Sequence, residues 1–235
     1  MTLFNNTEQR IPKHIVLFPD GNRRWAKERG IDTMEGHRAG YDNLVDFCEW
    51  CKKKGVSIVT AFGFSTENWN RTEHEVSYLM RLLEEGLLRN LQKFQDLKVH
   101  VRVIGQKERL PKSLQQAIEK VEGETKGNSE FFLNLAISYG GRWDIMQASQ
   151  RMIKEGVKPE EVTEEKFASY LSMAGLQDPD LVIRAGGEKR LSNFVLWQAA
   201  YAELYFCPKY WPEFTEKDLE EAIEDFASRT RRFGH

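Results

Sequence analysis

Long hydrophobic runs are absent from this chain: nothing in its 235 residues approaches the roughly 18 consecutive apolar residues of a bilayer-spanning helix. The opening MTLFNNTEQR is polar and lacks the apolar core of a secretory signal, so a cytoplasmic protein is expected. Cysteine is scarce. Cys48, Cys51 and Cys207 cannot frame a disulfide scaffold, and the C-x-x-C falls within Tyr41, Leu44, Val45, Cys48 and Cys51, the spacing of one helix face. No second pair completes a zinc site, so both thiols are read as core packing. Neither charge is in excess: 34 basic side chains face 36 acidic ones for a net −2, and no nucleic-acid partner is expected. The absence of a G-x-x-x-x-G-K-[ST] loop excludes a P-loop nucleotidase. Repeats, low-complexity tracts and Pro/Gly-rich linkers are also missing. A chain of this length that is 40% hydrophobic then reads as one domain over 1–235, with residues 1–12 expected to be flexible.

What is present is an alternation. Near-continuous apolar runs at His14–Pro19, Val56–Phe64, Val99–Ile104, Phe131–Ser138, Leu181–Arg184 and Leu204–Phe206 read as strands. Between them, periodic stretches at Gly36–Lys54, Thr72–Phe94, Pro111–Lys126, Arg142–Glu155, Thr163–Leu171 and Thr215–Arg229 read as helices. Apolar strands separated by helices predict an α/β fold, a mostly parallel central sheet flanked by helices. In the Thr72–Phe94 stretch, Leu79, Met80, Leu82, Leu83, Leu87, Leu88 and Leu91 make a stripe wider than one core contact needs. Either the helix is sandwiched in the core or it walls an apolar tunnel.

Ligands of open parallel sheets bind beyond the carboxyl ends of the strands, and those ends carry the polar chemistry. After HIVLFP come Asp20, Gly21, Asn22, Arg23 and Arg24, then a helix. Gly21 permits a tight turn, the amides from Asn22 to Trp25 are helix-end donors for an anion, and Arg24 can grip phosphate oxygens. Asp20 beside an anion makes sense if a divalent cation lies between them; the plain alternative is an Asp N-cap on a surface helix. Ser65–Arg71 and Tyr139–Asp144 end two further strands, and after Arg184 come paired glycines, Arg190 and Ser192, suited to a second diphosphate. Glu188 and Lys189 read as a solvated turn.

These motifs occur in order: D-G-N-R-R-W-A-x-x-R-G, G-H-R-A-G, F-S-T-E-N-W-N-R, Y-G-G-R-W-D, D-L-V-I-R-x-G-G-E-x-R-L-S-N-F and W-Q-x-A-Y-A-E-L-Y-F. Together they resemble the cis-prenyltransferases, the undecaprenyl diphosphate synthase family, from about His14 to Gly234. The Asp-Asp-x-x-Asp of all-helical prenyltransferases is absent. The resemblance implies a homodimer that condenses isopentenyl diphosphate with an allylic diphosphate, farnesyl or geranylgeranyl, and needs Mg²⁺. It implies that Asp20 handles the metal and diphosphate, with Glu203 a second metal-associated residue. Gly21, Asn22, Arg23 and Arg24 would cradle the allylic diphosphate with Trp25, His37 and Arg71 close by. Asn68 would take part in the chemistry, beside Ser65, Glu67 and Trp69. Arg184, Arg190 and Ser192 would hold isopentenyl diphosphate, joined by Arg232 and Gly234 from the partner subunit.

The family's arginine before Gly-His is missing from Ile31–Glu35, and Arg29 is a candidate substitute. Small Gly63 favours a long product and Phe131 or Phe132 a short one, so a medium, undecaprenyl-like chain is expected, with peripheral membrane contact on release. Alternatives are a short-chain or irregular synthase and a non-catalytic partner subunit.

Overall fold

The His14–Phe18 run is buried on both faces, which only a central strand of a covered sheet permits. The computed structural model describes residues 10–229. Among them six strands, β1 (His14–Phe18), β2 (Ile58–Ser65), β3 (Val99–Ile104), β4 (Phe131–Tyr139), β5 (Leu181–Arg184) and β6 (Glu203–Phe206), form one sheet in the order β3-β4-β2-β1-β5-β6. Every neighbouring pair is parallel. The helices are α1 (Asn22–Glu28), α2 (Thr33–Lys53), α3 (Glu73–Arg89), α4 (Leu91–Asp96), α5 (Lys112–Thr125), α6 (Gly141–Lys154), α7 (Glu164–Ala168) and α8 (Glu216–Ser228).

Alternation along β1 divides the core. Ile15 and Leu17 join the cluster built with α2, α3, α4, α5 and α8; Val16 and Phe18 join the one containing Met173, Phe194 and Val195. Cys48 and Cys51 lie in the first cluster, and burial pushes the Cys48 thiol up to about 12, so neither is a ready nucleophile or ligand. On the second face His14 is wholly buried: Nδ1 meets the Gln177 carbonyl at 2.6 Å and Nε2 meets Thr60 Oγ1 at 2.8 Å.

The helix expected over Thr72–Phe94 breaks into two. Asn90 leaves helical backbone and its Nδ2 donates to the Gly86 carbonyl at 2.8 Å, a local bond that ends α3 before α4 begins. The Thr163–Leu171 helix is shorter than its pattern, stopping at Ala168. Ile11 packs against the core at the entry to β1. From α3 onward the chain returns through β4 to the far side of β1, so the order reverses at β1. The carboxyl ends of β2, β1 and β5 flank that switch point.

Candidate active site

Register places Phe18 opposite Arg184, and Asp20 follows two residues later. The Asp20 Oδ2 therefore accepts from Arg184 Nη2 at 2.8 Å, while Oδ1 accepts from the Gly21 amide at 2.6 Å and stands 3.4 Å from Arg24 Nη2. Gly21 is left-handed at φ +100°, and a Cβ there would come within 2.6 Å of the Tyr210 ring. Arg184 is buried; Nη1 donates to Ser192 Oγ at 2.8 Å and to the Arg190 carbonyl, and its guanidinium lies 5.0 Å from the Phe18 ring centre. Its Nε is buried without a hydrogen-bond partner. Arg190 Nε reaches Ser192 Oγ at 3.2 Å. Glu188, expected as a solvated turn, instead bridges Arg24 at 3.2 Å and Arg190 at 2.5 Å. Only the Arg190 half of this bridge was there to read, two residues away on the same turn.

The G-H-R-A-G motif has a steric cause. A Cβ at Gly36 would stand 2.2 Å from the Asn22 carbonyl, and one at Gly40 would stand 2.5 Å from Asn22 Oδ1. The two glycines, one turn apart on α2, let α1 lie directly on α2 and bring His37 beside the mouth. His37 Nε2 stands 3.4 Å from Glu75 Oε1, off hydrogen-bond geometry, and has no hydrogen-bond partner. Arg71 Nη1 donates to the same Glu75 oxygen at 3.1 Å, with Arg23 Nε 3.8 Å away. Burial, then repulsion from Arg71, pushes His37 down to about 4 against the pull of Glu75, so the ring is neutral at neutral pH. Glu75 had no place among the sequence candidates, although it sits four residues after Arg71, in the first turn of α3.

Beyond this mouth opens a cavity of about 650 Å³. Asp20, Asn22, His37, Ser65, Glu67, Asn68, Arg71, Arg184 and Ser192 line its polar end; Leu44, Phe64, Leu79, Leu82, Leu83 and Leu135 line its apolar part. The α3 stripe thus does both jobs its width allowed, since Met80 and Leu87 are packed in the core. Gly63 sits at a register shift of β2 and lines the cavity. A second hollow of about 640 Å³ adjoins through Asp20, Asn22, His37 and Arg71, and is edged by Arg23, Arg24 and Lys27.

Ser65 and Asn68 cap one another: Ser65 Oγ accepts from the Asn68 amide at 3.2 Å and Asn68 Oδ1 accepts from the Ser65 amide at 3.1 Å. Asn68 Nδ2 can donate to a ligand, and a neutral carboxamide offers no general base. Trp69 anchors this turn, donating to Ser138 Oγ at 2.9 Å, and is not on the cavity wall. Trp25 Nε1 is buried without a partner. Arg29 binds Glu213 and stacks over Trp25 at 4.7 Å, away from both hollows. Phe131 is buried in the core and Phe132 stacks on His100 at 5.3 Å; neither lines the cavity. Glu203 is not brought to Asp20. Parallel pairing sets it opposite Leu181, at the far end of the sheet, where it binds Arg229 at 2.9 Å. Arg232 and Gly234 lie outside the described residues.

Among the described residues no three His, Cys, Asp or Glu side chains gather into a metal cage. Mg²⁺ is more often held by one or two carboxylates with substrate phosphates and water. Asp20 fits that pattern; Asn22 Oδ1, buried and unpartnered, lies against Gly40 of α2.

The family model described as "Putative undecaprenyl diphosphate synthase" matches residues 18–234. An isoprenyl transferase of Neisseria meningitidis serogroup A is 46% identical over 224 residues, 95% of this chain and 90% of that protein. A ditrans,polycis-undecaprenyl-diphosphate synthase of Pseudomonas putida, named as (2E,6E)-farnesyl-diphosphate specific, is 44% identical over 228 residues, 95% and 91% of the two chains. Among solved structures, the lavandulyl diphosphate synthase of Lavandula x intermedia, in complex with dimethylallyl diphosphate, superposes with a TM-score of 0.91 at 37% identity, covering 96% of this chain and 99% of that one. The chain belongs to the undecaprenyl diphosphate synthase family of prenyl transferases.

Proposed function

We propose that this protein condenses isopentenyl diphosphate with an allylic diphosphate, farnesyl or geranylgeranyl, to give a medium-chain cis-polyprenyl diphosphate such as undecaprenyl diphosphate. One observation carries the reading: a single cavity is aliphatic along α3 and arginine-lined at its mouth, the two chemistries of a prenyl diphosphate. The allylic diphosphate binds beside Asp20, Arg24 and Arg71 with its chain against Leu79, Leu82 and Leu83. Isopentenyl diphosphate binds at Arg184, Arg190 and Ser192.

The allylic carbon–oxygen bond breaks and diphosphate departs, the terminal CH2 of isopentenyl diphosphate bonds to that carbon and leaves its C3 cationic, and C2 loses a proton to a diphosphate oxygen as the new C2=C3 double bond forms. Arg24 and Arg71 stabilise charge building on the leaving oxygens, and Arg184 orients the attacking alkene. Bound Mg²⁺, held by Asp20, supplies further neutralisation of that charge. Asn68 donates to the second substrate and does not take the proton.

Among the described residues no helix is long and apolar enough to cross a membrane. The reading is of a cytoplasmic enzyme that meets a membrane peripherally when product leaves. Exposed Met146 and Ile153, two turns apart on α6, give a second copy an apolar stripe to cover, in keeping with a homodimer. A second reading, one condensation or an irregular coupling, draws on the likeness to the lavandulyl diphosphate synthase. Incubation with labelled isopentenyl diphosphate, Mg²⁺ and each allylic primer in turn separates them. Multiple additions to farnesyl diphosphate support the main reading; one addition, or a product formed from the allylic diphosphate alone, supports the second; no product with any primer refutes both.

A further inference from the structure

The segment after β5 is held in an unusual backbone. Ser192, Asn193 and Val195 have φ of +43°, +64° and +42°. Asparagine tolerates the left-handed region; a buried β-branched valine does not, and such a run persists only where its surroundings enforce it.

Asn193 supplies much of that enforcement. Its carbonyl accepts from the Gly141 amide at 2.6 Å, its Oδ1 accepts from the Arg142 amide at 2.9 Å, and its Nδ2 donates to Glu67 Oε1 at 2.8 Å. One side chain therefore ties three strand ends: its own after β5, the start of α6 after β4, and the Thr66–Asn70 turn after β2. The approach is close, since a Cβ on Gly140 would stand 2.6 Å from Thr66 Oγ1 and 2.8 Å from Asn193 Nδ2. On one side of the tie is Ser192, bound to Arg184 and Arg190; on the other is Asn68, in the turn that Glu67 belongs to. Burial works to raise the Glu67 carboxyl, and hydrogen bonds led by that from Asn193 outweigh it and hold it below its ordinary range.

We propose that Asn193 is a positioning residue that, through Glu67, fixes the distance between the Arg184–Arg190–Ser192 anion site and Asn68. It would thereby set where the alkene of the second substrate lies relative to the group it attacks. This rests on the prenyl-transfer reading above. A misplacement of about 1 Å at a reacting centre can cost about 10²-fold in rate, so the tie matters for turnover more than for holding either diphosphate.

The test is a two-residue cycle. Asn193→Asp keeps the acceptor for Arg142 and replaces the donor facing Glu67 with a second carboxylate. Glu67→Gln restores a donor, so that in the double variant the bond runs in the opposite direction. Asn193→Asp is expected to lose about 10- to 100-fold in kcat with the KM for the allylic diphosphate little changed. The same substitution made in the Glu67→Gln background is expected to cost much less, most of the loss being recovered. Equal losses in both backgrounds, or a loss confined to thermal stability with kcat intact, overturn the proposal. If the parent protein incorporates no isopentenyl unit at all, the prenyl-transfer reading falls and takes this inference with it. An active parent without coupling between the two positions removes the positioning role alone.

Discussion

The Asp20 carboxylate and the Arg184 guanidinium meet at 2.8 Å across the ends of two adjacent parallel strands, joining the residue proposed for the metal with one proposed for the second diphosphate. Asp20→Asn keeps an acceptor for the Gly21 amide and removes the charge. Turnover is expected to fall by about 10²- to 10³-fold, the scale of losing one preorganised electrostatic contact. Chelation of Mg²⁺ should stop the parent enzyme, and the variant should need more Mg²⁺ for its residual rate. Rate against Mg²⁺ concentration checks both, and an unaltered titration removes Asp20 from the metal.

Gly63 is expected to govern how much chain the cavity takes. A Cβ there would lie 3.3 Å from the Ala136 carbonyl and 3.8 Å from Leu83 Cδ2, so alanine fits with a small adjustment and leucine must project into the cavity. Gly63→Leu is expected to shift the product ladder to shorter chains while farnesyl diphosphate still primes the reaction. Mass spectrometry of the extracted lipids reads this directly; an unchanged ladder places the growing chain elsewhere.

Gly86→Ala tests the packing of the cavity wall. On an open helix this substitution gains about 1 kcal/mol. Here the new methyl would stand 2.2 Å from Tyr41 Cζ, in the wall of the cavity. Overpacking of that kind costs about 1–3 kcal/mol, so a net loss of stability is expected. Denaturant midpoints decide the sign.

His14 predicts a pH dependence of stability. Burial, the largest cause, holds it near 4, against 6.5 in an unstructured chain. Above the unfolded value both states are neutral and its contribution is complete. As pH falls from about 6.5 toward 4 the unfolded chain takes up a proton that the folded one refuses, and stability declines, at most on the order of 3 kcal/mol for this group. The decline should be shallower in His14→Gln, measured by urea midpoints across that range. Parallel profiles for the two proteins would mean that His14 is accessible to protons when folded.

Much of this was legible in the chain. Apolar runs such as His14–Phe18 announce themselves because both faces are buried, and the polar groups at their carboxyl ends mark the site. The break at Asn90 was hidden, since the apolar spacing continues through it while a side-chain bond to Gly86 ends the helix. The partners of the site were harder still. Glu188 reaches Arg24 and Asn193 reaches Glu67, both on distant segments, and sequence spacing carries no signal for such bonds. The distance of Glu203 from Asp20 follows from register, which only the paired strands reveal.

The central claim is that one mouth holds the diphosphate while the cavity along α3 holds the isoprenoid chain. A crystal structure with Mg²⁺ and a non-hydrolysable thio analogue of farnesyl diphosphate tests it most directly. The account predicts the diphosphate within hydrogen-bond distance of Arg24 or Arg71, Mg²⁺ on Asp20, and the chain against Leu79, Leu82 and Leu83. A diphosphate bound away from Asp20, or an isoprenoid tail lying outside the cavity, would contradict it.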